Sequence, residues 1–112
     1  MRELKFTVNK QKLSKDGDYS HIVKGSKSYL KCCVTFDDND WIKYRKIAVF
    51  FDDDKKEYAR KMEPDGTCNV PDEVTDGSYF KMKIVGVLPT DTDKRIYTTT
   101  EVISQEGWNW QH

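Results

Sequence analysis

The strongest constraint on this chain is a period-two sorting of apolar and polar residues, interrupted at short intervals by Gly, Asp, Asn and Pro. In "SYLKCCVTFD" (Ser28 to Asp37), Leu30, Cys32, Val34 and Phe36 fall on one side and Tyr29, Lys31, Cys33 and Thr35 on the other. Successive side chains of an extended strand point to opposite faces, so such a segment has one face to bury. "ELKFTVN" repeats the pattern, with Leu4, Phe6 and Val8 against Glu3, Lys5 and Thr7. "SYFKMKIVGVLP" repeats it again, with Phe80, Met82 and Ile84 inward and Tyr79, Lys81 and Lys83 outward. Helical spacing of apolar residues is nearly absent, which leaves sheet packed on sheet as the way to hide these faces.

The remaining segments fit the same scheme. "KIAVFFD" (Lys46 to Asp52) is apolar on both faces and reads as a central strand, covered or tightly packed on each side. "KEYARKM" (Lys56 to Met62) alternates weakly and is assigned to a strand by its place between two turns. "PTDTDKR" is expected as a polar loop, and "RIYTTTEVISQEG" as a final long strand rich in β-branched residues. "KDGD" turns the chain after the first strand, and "KGSK" forms a loop beyond the short apolar piece at Ile22 and Val23. Pro64, Asp65 and Gly66 suit a hairpin corner, while Pro71 stops "TCNV" from continuing as a central strand. Gly86 marks a bulge or a close backbone approach. Eight or nine strands with short connections approach the dimensions of an immunoglobulin-like antiparallel β-sandwich of ~100 residues. We therefore expect an all-β fold with one domain over 1–107 and an aromatic tail over 108–112.

Composition narrows the function. The chain has 112 residues, enough to bury about two thirds of its unfolded surface and to fold without staples. Lys plus Arg and Asp plus Glu are both 19, so no net field draws the molecule to nucleic acid or an anionic membrane. No apolar run approaches the ~20 residues of a membrane-spanning helix, and "MRELKFTVNK" lacks the apolar core of a signal peptide. A soluble chain with no membrane partner is expected. Cys32, Cys33 and Cys68 are spaced like no zinc motif and read as reduced, mostly apolar filler.

The two aspartate clusters in "TFDDNDWIKYRKIAVFFDDDKKEY" lack the glycine and glutamate positions of a calcium loop, and the strand between them holds them apart. Asp and Asn are ordinary turn residues, so no metal site is expected there or at "TDTD". His21 and His112 are the only histidines, and His21 reads as a half-exposed strand residue. With no nucleophile and base in view, no paired carboxylates selected by spacing and no phosphate-binding glycine loop, no catalytic residue and no cofactor are expected. "WIKYRK" and "YFKMK" interleave aromatics with Lys, but with balanced charge they read as outward faces in which Lys stems cover rings, not as a nucleic-acid platform. In "GWNWQH", Trp108 and Trp110 share a face and are costly to leave in water. Either they fold back onto the domain or they anchor another chain, which makes them the candidate partner-binding residues.

From Trp41 onward the order of motifs resembles the immunoglobulin-like β-sandwich domain found in tail, baseplate and fibre proteins of bacteriophages, including the N-terminal domains of upper baseplate proteins. The matching pieces are Trp41; Lys46, Ala48 and Phe50; Cys68 to Val74; Gly77 to Gly86; and Arg95 to Thr98. Met82 and Ile84 stand where the pattern usually has valine, and no long continuation follows Gly107. The resemblance implies a non-enzymatic structural module that joins phage structural proteins or itself, made in a bacterial cytoplasm and carried in a virion. Two rivals remain: a small phage-encoded inhibitor of a host protein such as a defence nuclease, and a carbohydrate-binding sandwich with aromatics that stack on sugar rings.

Overall fold

In the computed structural model, which describes residues 1–107, the alternating segments form nine strands in two facing sheets. One sheet holds β1 (Arg2–Asn9), β2 (Lys12–Asp16), β3 (Leu30–Phe36) and β6 (Thr67–Asn69), in the order β2-β1-β3-β6. The other holds β4 (Arg45–Phe51), β5 (Glu57–Lys61), β7 (Tyr79–Leu88), β8 (Asp91–Tyr97) and β9 (Glu101–Ser104). Its order is β5-β4-β7-β8, with β9 also on β7. Two single-turn 3₁₀ helices, Asn39–Trp41 and Asp72–Val74, lie where the chain passes from the first sheet to the second. The core is the set of inward residues that alternation selects: Leu4, Phe6, Val8, Leu30, Cys32 and Val34 from one sheet face Ala48, Phe50, Phe80, Met82, Ile84 and Ile103 from the other. β4 is central, flanked by β5 and β7.

Several expectations need correction. The sheets are not wholly antiparallel: β1 and β3 run parallel, with Leu4 opposite Cys32 and Phe6 opposite Val34. The reason is that "KDGD" does not close the first strand. β1 folds back at Lys10 and Gln11 into β2, with Asn9 opposite Lys12 and Lys10 at a left-handed φ of 57°. Residues 17–29 then carry the chain across the end of β1 to its other side. Tyr19 packs edge-on to Phe6 with ring centroids 5.7 Å apart, and Ile22 enters the core. The Arg2 guanidinium donates to the carbonyls of Asp18 and His21, both at 3.1 Å, so the crossing segment's backbone is satisfied from the strand it passes.

"PTDTDKR" is not a loop either. Pro89 and Thr90 make the turn and β8 begins at Asp91, with a register shift between Val87 and Leu88. The expected final strand is broken: β8 and β9 share the same edge of β7, and the interruption lies at Thr98 to Thr100. There the Thr98 hydroxyl accepts from the Ile84 N–H at 2.9 Å and replaces a backbone partner. The chain is thereby displaced towards the other sheet, where the Thr99 N–H donates to the Gln11 carbonyl (2.8 Å) and its hydroxyl accepts from the Leu13 N–H (3.1 Å). Pro64 to Gly66 form a turn that passes between sheets, from β5 to β6, not a hairpin within one.

Trp41 closes one end of the core. It is fully buried, its indole N–H donates to the Lys10 carbonyl at 2.6 Å, and its ring lies 5.4 Å from that of Phe36. Gly86 is a close approach and not a bulge: a Cβ there would fall 2.6 Å from Ile96 Cγ2 and 3.0 Å from Trp41 Cζ3. Replacing Trp41 by Ala should lower the unfolding free energy by about 3–5 kcal/mol, read as a shift in urea midpoint at constant slope. Trp41→Phe, which keeps most of the volume but leaves the Lys10 carbonyl without its donor, should fall between that variant and the wild type.

Candidate interaction surface

The inward face of the β4–β7 sheet is spent on the core, and its outward face is unusually apolar. Along β4 the outward residues are Ile47, Val49 and Phe51; they pair in register with Val85, Lys83 and Lys81 of β7. Val87 continues the row opposite Arg45, Tyr97 of β8 pairs with Val85, and Val102 of β9 pairs with Lys81. Val49 and Val85 are only 9% and 8% exposed although no second layer among the described residues covers them; Tyr97 and Val102, at the edge, are 45% and 41% exposed. The covering is local. Lys83 Nζ sits 5.6 Å from the Phe51 ring centroid and 5.2 Å from that of Tyr97, and Lys81 Nζ lies 6.0 Å from the Tyr79 ring. At these distances the ammonium groups meet the negative ring faces while their methylene stems shield the valines. Around this floor stand Arg45, Lys61, Lys81, Lys83 and Arg95 against Glu57, with Asp91 and Asp93 at the start of β8, so cations outnumber acids there in a chain of zero net charge.

The aspartates sit elsewhere, at the ends of the sheets. Asp38 caps the first 3₁₀ turn through the Asp40 N–H (3.1 Å) and accepts from the Lys10 N–H at 2.5 Å. Asp52 accepts from the N–H groups of Asp54 (3.0 Å) and Lys56 (2.8 Å) at the far end of β4. Asp91 accepts from the Asp93 N–H at 3.2 Å. Each cluster is a set of turn caps, and the first two lie at opposite ends of β4. Among the described residues no three His, Cys, Asp or Glu side chains converge as a metal site would require.

A cleft of about 740 Å³ opens beside Trp41, lined by Phe36, Tyr44, Lys46, Met62, Glu63 and Pro64 among others. Lys46 Nζ lies 5.2 Å from the Phe36 ring there, and partial burial lowers its pKa. Of the "WIKYRK" residues, Trp41 is core, Ile42 is 72% exposed and Tyr44 lines the cleft. His21 lies at the other end of β1, beside Arg2 and Asp18. It is an exposed left-handed turn residue (φ 57°), not a strand residue, and its Nδ1 stands 3.3 Å from Glu106. It therefore serves no hydroxyl in the cleft.

Trp108 and Trp110 lie outside the described residues. The residues that sequence reasoning missed are Val85, Val87, Tyr97 and Val102. The signal was present: the outward set along β7 changes from Tyr79, Lys81 and Lys83 to Val85 and Val87, beside a β4 already apolar on both faces. No family model, no curated protein and no solved structure matches this chain.

On the opposite outer face, Cys33 Sγ donates to Glu3 Oε2 at 2.9 Å. Burial, and then the Glu3 carboxylate, push its thiol up to about 11 from an ordinary 9.0. Only the thiolate is alkylated, so at pH 8 iodoacetamide should label Cys33 roughly a hundredfold more slowly than an unhindered cysteine. Glu3→Gln removes the charge that opposes ionisation and should speed labelling; peptide mass spectrometry across a pH series gives both rates.

Proposed function

We propose that this chain is a non-enzymatic assembly module, an immunoglobulin-like sandwich of the kind its motifs resemble in phage tail, baseplate and fibre proteins, acting in a virion through protein–protein contact. The observation that carries the reading is the outward face of the β4–β7 sheet. It combines an apolar floor (Ile47, Val49, Val85) with two exposed apolar edge residues, Tyr97 and Val102, inside a frame of Lys and Arg. A hydrophobic centre with a charged rim is the anatomy of a protein interface.

The face is a better docking surface than the strand edges. β2, β5 and β8 carry the charges of "KLSKD", "EYARK" and "DTDKR", and β6 is three residues long. Charged or short edges resist strand addition. On β9, the Val102 carbonyl already accepts from Lys15 Nζ at 2.8 Å.

The partner is a protein subunit with an acidic rim. The chain's own aspartate turns at Asp37 to Asp40 and Asp52 to Asp54 answer that description, so a neighbouring copy is the first occupant to test. Two identical positive faces repel, so the contact joins unlike surfaces of adjacent copies, the geometry that closes into rings. Size-exclusion chromatography with light scattering should show a trimer or hexamer at low salt that loosens as salt screens the contact. Tyr97→Asp with Val102→Asp should give a monomer of unchanged thermal midpoint. A wild-type chain that stays monomeric at all concentrations, or an oligomer indifferent to this double change, would defeat the proposal in this form.

A further inference from the structure

Cys32 and Cys68 face each other directly across the β3–β6 ladder. Two residues to one side the Val34 N–H donates to the Gly66 carbonyl (2.9 Å), and two residues to the other the Val70 N–H donates to the Leu30 carbonyl (3.0 Å). Cys32 and Cys68 are therefore a hydrogen-bonded cross-strand pair, whose Cα atoms stand ~5.5 Å apart, within the range a disulfide spans. Cross-strand partners share a face, and both thiols point inward, Cys32 fully buried and Cys68 7% exposed. Cys32 Sγ also lies 3.7 Å from Met82 Sδ, so one side of the pair is packed in the core.

The other side opens outward. Cys68 lines a groove of about 430 Å³ with Lys31, Arg60, Glu63 and Asn69. Its strand is a three-residue sheet edge between the Gly66 turn and Pro71, hydrogen-bonded in the sheet to β3 alone. We propose that Cys32 and Cys68 form a redox-active dithiol, oxidised to a reversible cross-strand disulfide by a small hydroperoxide that enters along this groove.

The roles are unequal. Cys68 lines the groove by which a peroxide would enter, together with the Arg60 guanidinium, whereas Cys32 is fully buried beneath it. The Cys68 thiolate attacks the peroxide oxygen, the O–O bond breaks, and the departing oxygen takes a proton to leave as water (or as an alcohol from an alkyl hydroperoxide), giving a sulfenic acid. The Cys32 sulfur then attacks that sulfur, its thiol proton leaves with the displaced hydroxyl as water, and the S–S bond forms. Two thiols lose two electrons in total, and the peroxide accepts both.

The test uses the full chain. After brief exposure of the folded chain to equimolar hydrogen peroxide, N-ethylmaleimide added in denaturant should label one site instead of the three free thiols. The mass should fall by two hydrogens before alkylation, and a Cys32–Cys68 peptide should appear that dithiothreitol abolishes. Cys33→Ser should leave this result unchanged. Cys32→Ala should stop at a sulfenic acid on Cys68 that dimedone traps, and Cys68→Ser should remove the reaction. Wild-type mapping needs no variant to fold. Retention of all three thiols after peroxide, or oxidation confined to Cys33, would overturn the assignment.

Discussion

The burial of Trp41 is the contact on which the two sheets depend. The chain leaves the first sheet at Phe36 and enters the second at Arg45, and Trp41 stands between, at the end of the 3₁₀ turn capped by Asp38. Its ring packs against Phe36 from one sheet and Gly86 from the other, and its N–H holds the carbonyl of Lys10, the left-handed corner of the β1–β2 hairpin. The same corner's N–H is held by Asp38. One short turn thus satisfies both backbone groups of a residue in another hairpin and fills the gap between layers. This explains why an indole is used: a purely apolar side chain of that size would leave a part-buried carbonyl without its donor.

At the middle and far end, the layers are joined by different means. Thr98 leaves the β7 ladder with its hydroxyl in place of a backbone group, and Thr99 reaches β2 in the other sheet. Beyond β9, the Gln105 side-chain amide donates to the carbonyls of Gly77 (3.0 Å) and Val74 (3.3 Å), tying the stretch after β9 to the segment that precedes β7. With its seams closed internally by backbone and short polar side chains, the sandwich leaves its long charged side chains free. Five of them, Arg45, Lys61, Lys81, Lys83 and Arg95, stand around the apolar floor of the β4–β7 sheet, so a net charge of zero does not mean an even surface.

How much of this was legible in sequence follows from what each residue must satisfy. Leu4, Phe6 and Val8, or Phe80, Met82 and Ile84, declare their strands because each has to be buried. β2 and the first half of β8 were hidden because they are edge strands: Leu13 is the one fully buried side chain of the first, and the second begins "DTDKR", the charge that protects an edge from pairing making it look like a loop. Alternation specifies a face but not a neighbour, so the parallel pairing of β1 with β3 could not be read from it; that pairing is set by the path of residues 17–29 and by Arg2, which braces them. The outward apolar face was half visible, since "KIAVFFD" announced a strand covered on both sides, but its continuation through Tyr97 and Val102 depends on a register that only the bulge near Val87 and the break at Thr98 determine. The tryptophans most prominent in the sequence as a partner site, Trp108 and Trp110, fall outside the described residues.

The short β6 strand shows how a backbone requirement can place chemistry. Gly66 has a φ of 85°, and a Cβ there would lie 2.4 Å from the Val34 carbonyl oxygen, so the turn before β6 accepts only glycine. Five residues later stands Pro71, and between these limits only two residues turn inward, Cys68 within the strand and Val70 just after it. The position of Cys68 opposite Cys32 is fixed by these two limits and not by the packing of the core, which a small apolar residue would fill as well. A bond between the two sulfurs would therefore draw on the edge strand and its flanking turns, and the layers that Trp41 holds together would remain as they are.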